Sequence, residues 1–128
     1  MRWAMLKIFF DGGCRPNPGM MEIAVVVRGR PHIVRDLGPG TNNDAEWLAL
    51  IEAVRIARSM EVADIVLLGD SALVVRQANR TAKCRSDALR AHLDAFLALT
   101  ADGPKLRIRR IKRAQNLAGI ALERSHDG

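Results

Sequence analysis

Hydrophobic residues in this chain fall in short blocks divided by glycine, proline and small polar residues, and the period changes from block to block. Residues 4–10, AMLKIFF, form a nearly continuous apolar run, the pattern of a largely buried strand. The run meets Asp11, Gly12, Gly13 and then Pro16-Asn17-Pro18-Gly19, so the strand is expected to stop with Asp11 at its end. Residues 22–28 (EIAVVVR) predict a second strand and residues 32–37 (HIVRDL) a third, with Gly29-Arg30-Pro31 as the turn between them. Short loops between three strands predict an antiparallel meander, which Gly38-Pro39-Gly40 ends.

Residues 41–59 change to a helical period. Ala45 to Arg58 holds strong helix formers without Gly or Pro, and Asn43 is placed as the N-cap. Helical spacing from Glu46 runs through Ala49, Leu50, Ala53 and Ala57, so this carboxylate opens the small apolar face of the helix. A charge there needs compensation. Capping Asn43 is one role open to it. Residues 64–69 (DIVLLG) predict a fourth strand, ended by Asp70, which can cap the helix beginning at Ser71. A long helix from about Ser86 to Thr100 presents Leu89, Leu93, Phe96 and Leu97 to the core. Residues 105–111 (KLRIRRI) predict a basic strand with a bulge at Arg109-Arg110. A last helix over residues 114–125 is expected to bury Leu117, Ile120 and Ala121, with parts of Ala118 and Leu122.

The order β-β-β-α-β-α-α-β-α predicts an α/β fold. Its five-stranded mixed sheet combines the antiparallel meander with two further strands, and helices flank both faces. Residues 1–128 read as a single domain, without repeats or linkers. Side chains at strand ends and helix starts converge in such sheets, and Asp11, Glu46 and Asp70 are all of that kind. Each also has a purely structural explanation: a polar hairpin for Asp11, a cap for Glu46, another cap for Asp70.

Charge sharpens the picture. The net charge is +6, yet residues 1–75 carry 8 Lys/Arg against 9 Asp/Glu, whereas residues 76–113 carry 11 against 3. That asymmetry points to a basic face for a polyanion. Aromatic residues make up 4% of the chain and tyrosine is absent, which argues against base-stacking platforms and leaves a phosphate-tracking duplex binder open. Cys14 and Cys84 form neither a disulfide framework nor a metal-type spacing, and no segment approaches bilayer length. A cytoplasmic protein with free thiols, no membrane association and no obligate protein partner is expected.

Three convergent carboxylates repel one another unless cations or protons compensate them. Oxygen ligands without His or Cys select Mg²⁺ or Mn²⁺ over zinc. Beside a basic surface, the chemistry is metal-assisted phosphodiester hydrolysis.

The blocks DGGCRPNPG (11–19), TNNDAEWLAL (41–50) and GDSALVVRQ (69–77) stand in the order and spacing of the type 1 ribonuclease H family. The likeness continues through IKRAQNLAGIAL (111–122), so the chain resembles that family over nearly its whole length. The resemblance implies a ribonuclease H fold and endonucleolytic hydrolysis of the RNA strand of RNA–DNA hybrids, leaving 3′-hydroxyl and 5′-phosphate ends. It implies two Mg²⁺ or Mn²⁺ ions, with Asp11 bridging both and Glu46 and Asp70 holding the ion nearer the leaving group. The positions matching the family's minor-groove contacts are Gly12, Cys14, Asn17, Asn42 and Asn43, and Thr41 with Asn17 resembles a pocket for a DNA-strand phosphate.

One part of the pattern is missing. The family's last helix carries a fourth aspartate in the form R-x-x-N-x-x-A-D-x-L-A. Here Arg113, Asn116 and Leu122 match, but Gly119-Ile120 replaces Ala-Asp. An alternative register puts Gln115 at the aspartate position, and neither register supplies a carboxylate. The ion which that acid helps to hold is therefore expected to bind weakly. Glu123, His126 and Asp127 are the nearby groups that can compensate, Glu123 only if the helix shifts. Arg76, Arg80, Lys83 and Arg85, with the basic strand, stand in electrostatically for an extra basic helix that some bacterial members insert. The retained acids favour a hybrid-cleaving nuclease. Ile120 keeps open an alternative, a weak or inactive module that grips hybrid or duplex RNA.

Overall fold

The protein is described by a computed structural model covering residues 5–126; Ala4 of the predicted first strand and the candidate Asp127 lie outside the described residues. Strand β1 (Leu6–Cys14) does not stop at Asp11 but continues through both glycines. Its antiparallel partner β2 (Gly19–Val27) supplies the reason. Ladder pairing sets Asp11 opposite Ala24, Gly12 opposite Ile23 and Gly13 opposite Glu22, so the turn is confined to residues 15–18. Prolines 16 and 18 cannot donate to a ladder, whereas glycines can.

Strand β3 (Arg30–Val34) completes the antiparallel meander, beginning two residues earlier than expected. A two-residue β4 (Pro39–Gly40) pairs with Gly19 and Met20, where the sequence showed only the meander's end. Parallel pairing adds β5 (Ile65–Gly69) beside β1 and β6 (Arg107–Arg110) beside β5. The sheet order is β3-β2-β1-β5-β6 with β4 on β2, one strand more than predicted. Registration from Val66–Arg107 to Gly69–Arg110 is unbroken, so the expected bulge at Arg109-Arg110 does not form.

Among the described residues there are four helices: α1 (Asn42–Ser59), α2 (Ala72–Ala78), α3 (Asp87–Thr100) and α4 (Leu117–Arg124), the last preceded by a 3₁₀ turn at Arg113–Gln115. Their N-caps are the side chains of Thr41, Ser71, Ser86 and Asn116. Asn43 therefore does not cap, contrary to the sequence expectation, and the purely structural role open to Asp70, a cap, is not taken up either. Thr41 has extended backbone (φ −100°, ψ 167°) and its hydroxyl accepts from the Asp44 N–H, while Asp44 answers from the N3 position.

The larger core lies between the sheet and α1 with α3. Ile8, Phe10, Val25 and Leu67 meet Trp47, Leu50 and Val54 of α1 and Leu93 and Phe96 of α3. Trp47 packs edge-on to Phe96 at 5.8 Å, and its indole N–H donates to Gln77 Oε1 at 3.0 Å. On the opposite face α4 covers Ala24, Val26 and Phe9 with Ala118 and Leu122. Small side chains at Ala24 and Ala118 let helix and sheet approach closely. The buried face of α4 is thus Ala118, Gly119 and Leu122 rather than Leu117 and Ile120; Leu117 is exposed and Ile120 half-buried.

Candidate active site

Parallel pairing sets Phe9 of β1 level with Leu68 of β5, so two residues further along Asp11 and Asp70 stand side by side. The third acid comes from α1. A Cβ on Gly12 would lie 2.2 Å from the carbonyl oxygen of Ala45, so only glycine lets the first turns of α1 sit this close to β1. Through that gap the Gly12 N–H donates to Glu46 Oε1 at 3.3 Å. Because Thr41 is the N-cap and Asp44 completes the box, Glu46 has no capping role. One carboxylate oxygen from each of Asp11, Glu46 and Asp70 lies within 4.8 Å of the other two.

Asp11 and Glu46 are 4% and 7% exposed, and Asp11 Oδ1 and Glu46 Oε2 have no hydrogen-bond partner among the described residues. Burial pushes the Asp11 carboxyl upward, with the charge of Asp70 adding to it and Arg113 opposing it. Burial and the neighbouring Asp11 push Glu46 well above the usual carboxylate range. Unpartnered buried oxygens are costly unless something cationic meets them. Three oxygen donors without nitrogen or sulfur make a fit for a hard divalent cation, so this acidic cluster can hold metal.

Two residues complete the cluster without having been named as site residues from sequence. Asn116 is fully buried; its Nδ2 donates to Phe10 O at 3.0 Å and to Asp70 Oδ2 at 2.9 Å, while Oδ1 accepts from the Ala118 N–H. It caps α4 and steadies Asp70 at once. Arg113 Nη1 lies 4.0 Å from Asp70 Oδ1, with a largely exposed side chain. Their available signal was the R-x-x-N spacing of residues 113–116.

Beside the acids, the β1–β2 hairpin is knitted to the start of α1. The Cys14 N–H donates to Asn42 Oδ1 and the Asn42 N–H to Asn17 Oδ1, both at 3.0 Å; Cys14 Sγ lies 3.4 Å from Gly40 O. Gly12, Cys14, Asn17 and Asn42 are therefore brought together. Thr41 is exposed next to them with its hydroxyl on Asp44 Oδ2 at 2.8 Å, and Asn43 is exposed outside this network. Asp44 also meets His92 Nε2 at 3.0 Å. Burial raises the Asp44 carboxyl, but Thr41's N–H and hydroxyl together with His92 hold it below its usual value.

A cleft of about 210 Å³ opens beside Asp11, lined also by Arg15, Glu22, Arg113, Gly119 and Glu123. The α4 residue facing Asp11 is Gly119, where a Cβ would stand 3.4 Å from Asp11 Oδ2. Ile120, matched in sequence to the missing aspartate, instead lines an apolar groove with Val26 and Ile33. Glu123 lines the cleft without any helix shift, one turn beyond Gly119. Gln115 is turned to Lys112 N and takes no part, and His126 pairs with Glu22. Arg80, Lys83, Arg85 and Arg90 line a separate cavity of about 400 Å³ beyond α2.

Residues 4–101 match the sequence model of the RNase H family. Ribonuclease HI of Halobacterium salinarum is 41% identical over 81 residues, which are 59% of this chain and 41% of that protein; the chain thus spans about two-fifths of the length of that curated relative. The crystal structure of RNase H1 from the halophilic archaeon Halobacterium salinarum superposes with a TM-score of 0.85 at 29% identity, covering 98% of this chain and 100% of that one. An N-terminal RNase H domain from Mycobacterium tuberculosis, solved as a maltose-binding-protein fusion, gives 0.79 at 26% identity over 96% of each chain.

Proposed function

This chain belongs to the RNase H family, and from that premise we propose that it hydrolyses the RNA strand of RNA–DNA hybrids by a divalent-metal mechanism. The observation that carries the reading is the meeting of Asp11, Glu46 and Asp70 within 4.8 Å, two of them buried with unpartnered oxygens. A protein that only grips nucleic acid gains nothing from clustered acids beside phosphates.

Asp11, Glu46 and Asp70 would hold Mg²⁺ or Mn²⁺, which when bound supplies an activated water and neutralises charge on the attacked phosphate. The protein's own contribution is placement. Asn116 fixes the orientation of Asp70, and the Gly12 N–H holds one oxygen of Glu46, so the donors keep their spacing. Gly12, Cys14, Asn17 and Asn42 would face the hybrid's minor groove, where 2′-hydroxyls distinguish RNA from DNA; Asn43 would touch its edge and Thr41 a DNA-strand phosphate. Arg113 and the basic cavity at Arg80, Lys83 and Arg85 supply charge for tracking the backbone. We further propose a cytoplasmic setting, in keeping with two free, buried thiols.

The second reading, a hybrid-binding module of little turnover, draws on one observation: α4 faces Asp11 with a glycine where the family pattern has a nearby acid. Strand-labelled RNA–DNA hybrid, double-stranded RNA and double-stranded DNA, each incubated in Mg²⁺ and in Mn²⁺, separate the two. Cutting confined to the RNA strand of the hybrid supports the nuclease. Salt-sensitive hybrid binding without cutting in either metal leaves the module.

A further inference from the structure

We propose that Asp44 competes with the DNA-strand phosphate for Thr41, and that His92 is the positioning residue that draws this carboxylate aside when hybrid binds. The inference rests on the hydrolase reading above and deepens it, since it concerns how that reaction's substrate is gripped.

Thr41 and Asn17 form the pocket proposed for that phosphate. Asn17 Oδ1 is spent on the Asn42 N–H at 3.0 Å, which leaves the pocket the Asn17 amide group and the donors of Thr41. Both Thr41 donors are already taken by a single atom. The Thr41 N–H donates to Asp44 Oδ2 at 3.0 Å, and the hydroxyl donates to the same oxygen at 2.8 Å. A threonine hydroxyl has one proton to give, and a phosphodiester oxygen, like an ionised carboxylate, only accepts. A phosphate therefore engages Thr41 only where Asp44 Oδ2 now stands. In the free protein the carboxylate fills the place of the phosphate, and its charge repels the one that would replace it.

Helix capping accounts for one oxygen of Asp44 and not for the other. Oδ1 is met at 3.0 Å by Nε2 of His92, which comes from α3 and has no part in the cap. The two side chains are 18% and 21% exposed, so the pair is largely shielded from water, and His92 is the ion-pair partner of Asp44 among the described residues. An ionised carboxylate cannot donate, so His92 does. Because this bond is anchored on α3, it does not depend on Thr41, and a turn of the carboxylate that frees Thr41 can keep it. The two roles of Asp44 then have opposite signs. It stabilises the start of α1, and it weakens the grip on hybrid. A residue serving only as a cap would lose stability and grip together when replaced.

The test is equilibrium binding of a fluorescently labelled RNA–DNA hybrid to the intact chain, in chelator and at one fixed salt concentration, well below every thermal transition. Asp44→Asn should lower the Tm yet tighten hybrid binding by about threefold to tenfold, the scale of one charge removed about 5 Å from a phosphate near water. In a Thr41→Ala background the same substitution should gain twofold or less. His92→Phe, which cannot donate, should weaken binding severalfold in the wild type and change nothing in the Asp44→Asn background. His92→Gln keeps a donor and should bind within twofold of the wild type. An Asp44→Asn protein that binds no tighter, a gain undiminished by Thr41→Ala, or a His92→Phe loss that persists without the Asp44 charge would each overturn the assignment. Since nothing is cut in chelator, hybrid that Asp44→Asn tightens but that is never cleaved in Mg²⁺ or Mn²⁺ sinks the hydrolase reading alone. Cleavage by the wild type with no gain from Asp44→Asn sinks this one alone.

Discussion

Replacing Asp11 with Asn removes a negative charge from the middle of the acidic cluster with almost no change in shape. Its carboxylate oxygen lies within 4.8 Å of oxygens of Glu46 and Asp70. Two full charges at that separation repel by about 3.5 kcal/mol at an effective dielectric constant of roughly 20. Burial raises both Asp11 and Glu46, so proton uptake relieves part of that repulsion at a higher pH than it would for free carboxyls, and Arg113 offsets some of the rest. The metal-free variant should therefore gain about 1–3 kcal/mol, or roughly 3–10 °C in Tm for a domain of this size. The pH dependence has a definite sign. Carboxyls raised in the folded state bind protons there before they do in the unfolded chain, so stability falls as pH rises from the ordinary carboxylate range through the raised values. Asp11→Asn should flatten that fall. Thermal unfolding in chelator and again in millimolar Mg²⁺ reads both effects: Mg²⁺ should raise the Tm of the wild type by mass action and that of the variant much less. A metal-free variant no more stable than the wild type would refute the view that these acids are held together against their own repulsion.

Other perturbations probe the scaffold around the cluster. Gly12→Ala brings a Cβ to 2.2 Å from Ala45 O, so α1 must move off β1; urea unfolding should show a loss of about 3 kcal/mol or more, and hybrid cleavage should fall with it. Asn116→Ala leaves Phe10 O and Asp70 without their buried donor and costs about 2–4 kcal/mol in the same assay. Asp44→Asn weakens the α1 cap and the His92 pair, for about 1–2 kcal/mol at neutral pH. Since the Asp44 carboxyl is depressed in the folded state, its contribution is present above its unfolded value and lost as pH falls through its folded value. The difference between wild type and Asp44→Asn should thus vanish in acid.

Most of the fold was legible because its elements differ in period: the β-branched runs, the 18-residue amphipathic α1 and the capped helices each announce themselves. The three acids were legible for a related reason, each lying where an apolar run ends or begins. What escaped were features set by contact rather than pattern. Strand β1 runs on through Gly12 and Gly13 because Ile23 and Glu22 pair with them, and glycine has no side chain to declare a strand. Thr41 and Asn43 are both good caps; helix start and the Asp44 partner decide for Thr41. Helix α4 has eight residues and is apolar on most sides, so its periodicity could not say that Gly119, rather than Ile120, turns to Asp11.

The central claim, that the Asp11-centred cluster cuts the RNA strand of a hybrid, is tested most directly by single-turnover cleavage of one labelled hybrid by the wild type and Asp11→Asn at equal occupancy. The wild type should cut the RNA strand only when Mg²⁺ or Mn²⁺ is present, leaving 3′-hydroxyl and 5′-phosphate ends. The variant should bind the hybrid at least as tightly and lose about a thousandfold or more in rate, the scale set by losing electrostatic stabilisation of a transition state. Equal rates for the two proteins, or no metal-dependent cutting by the wild type, would contradict the account.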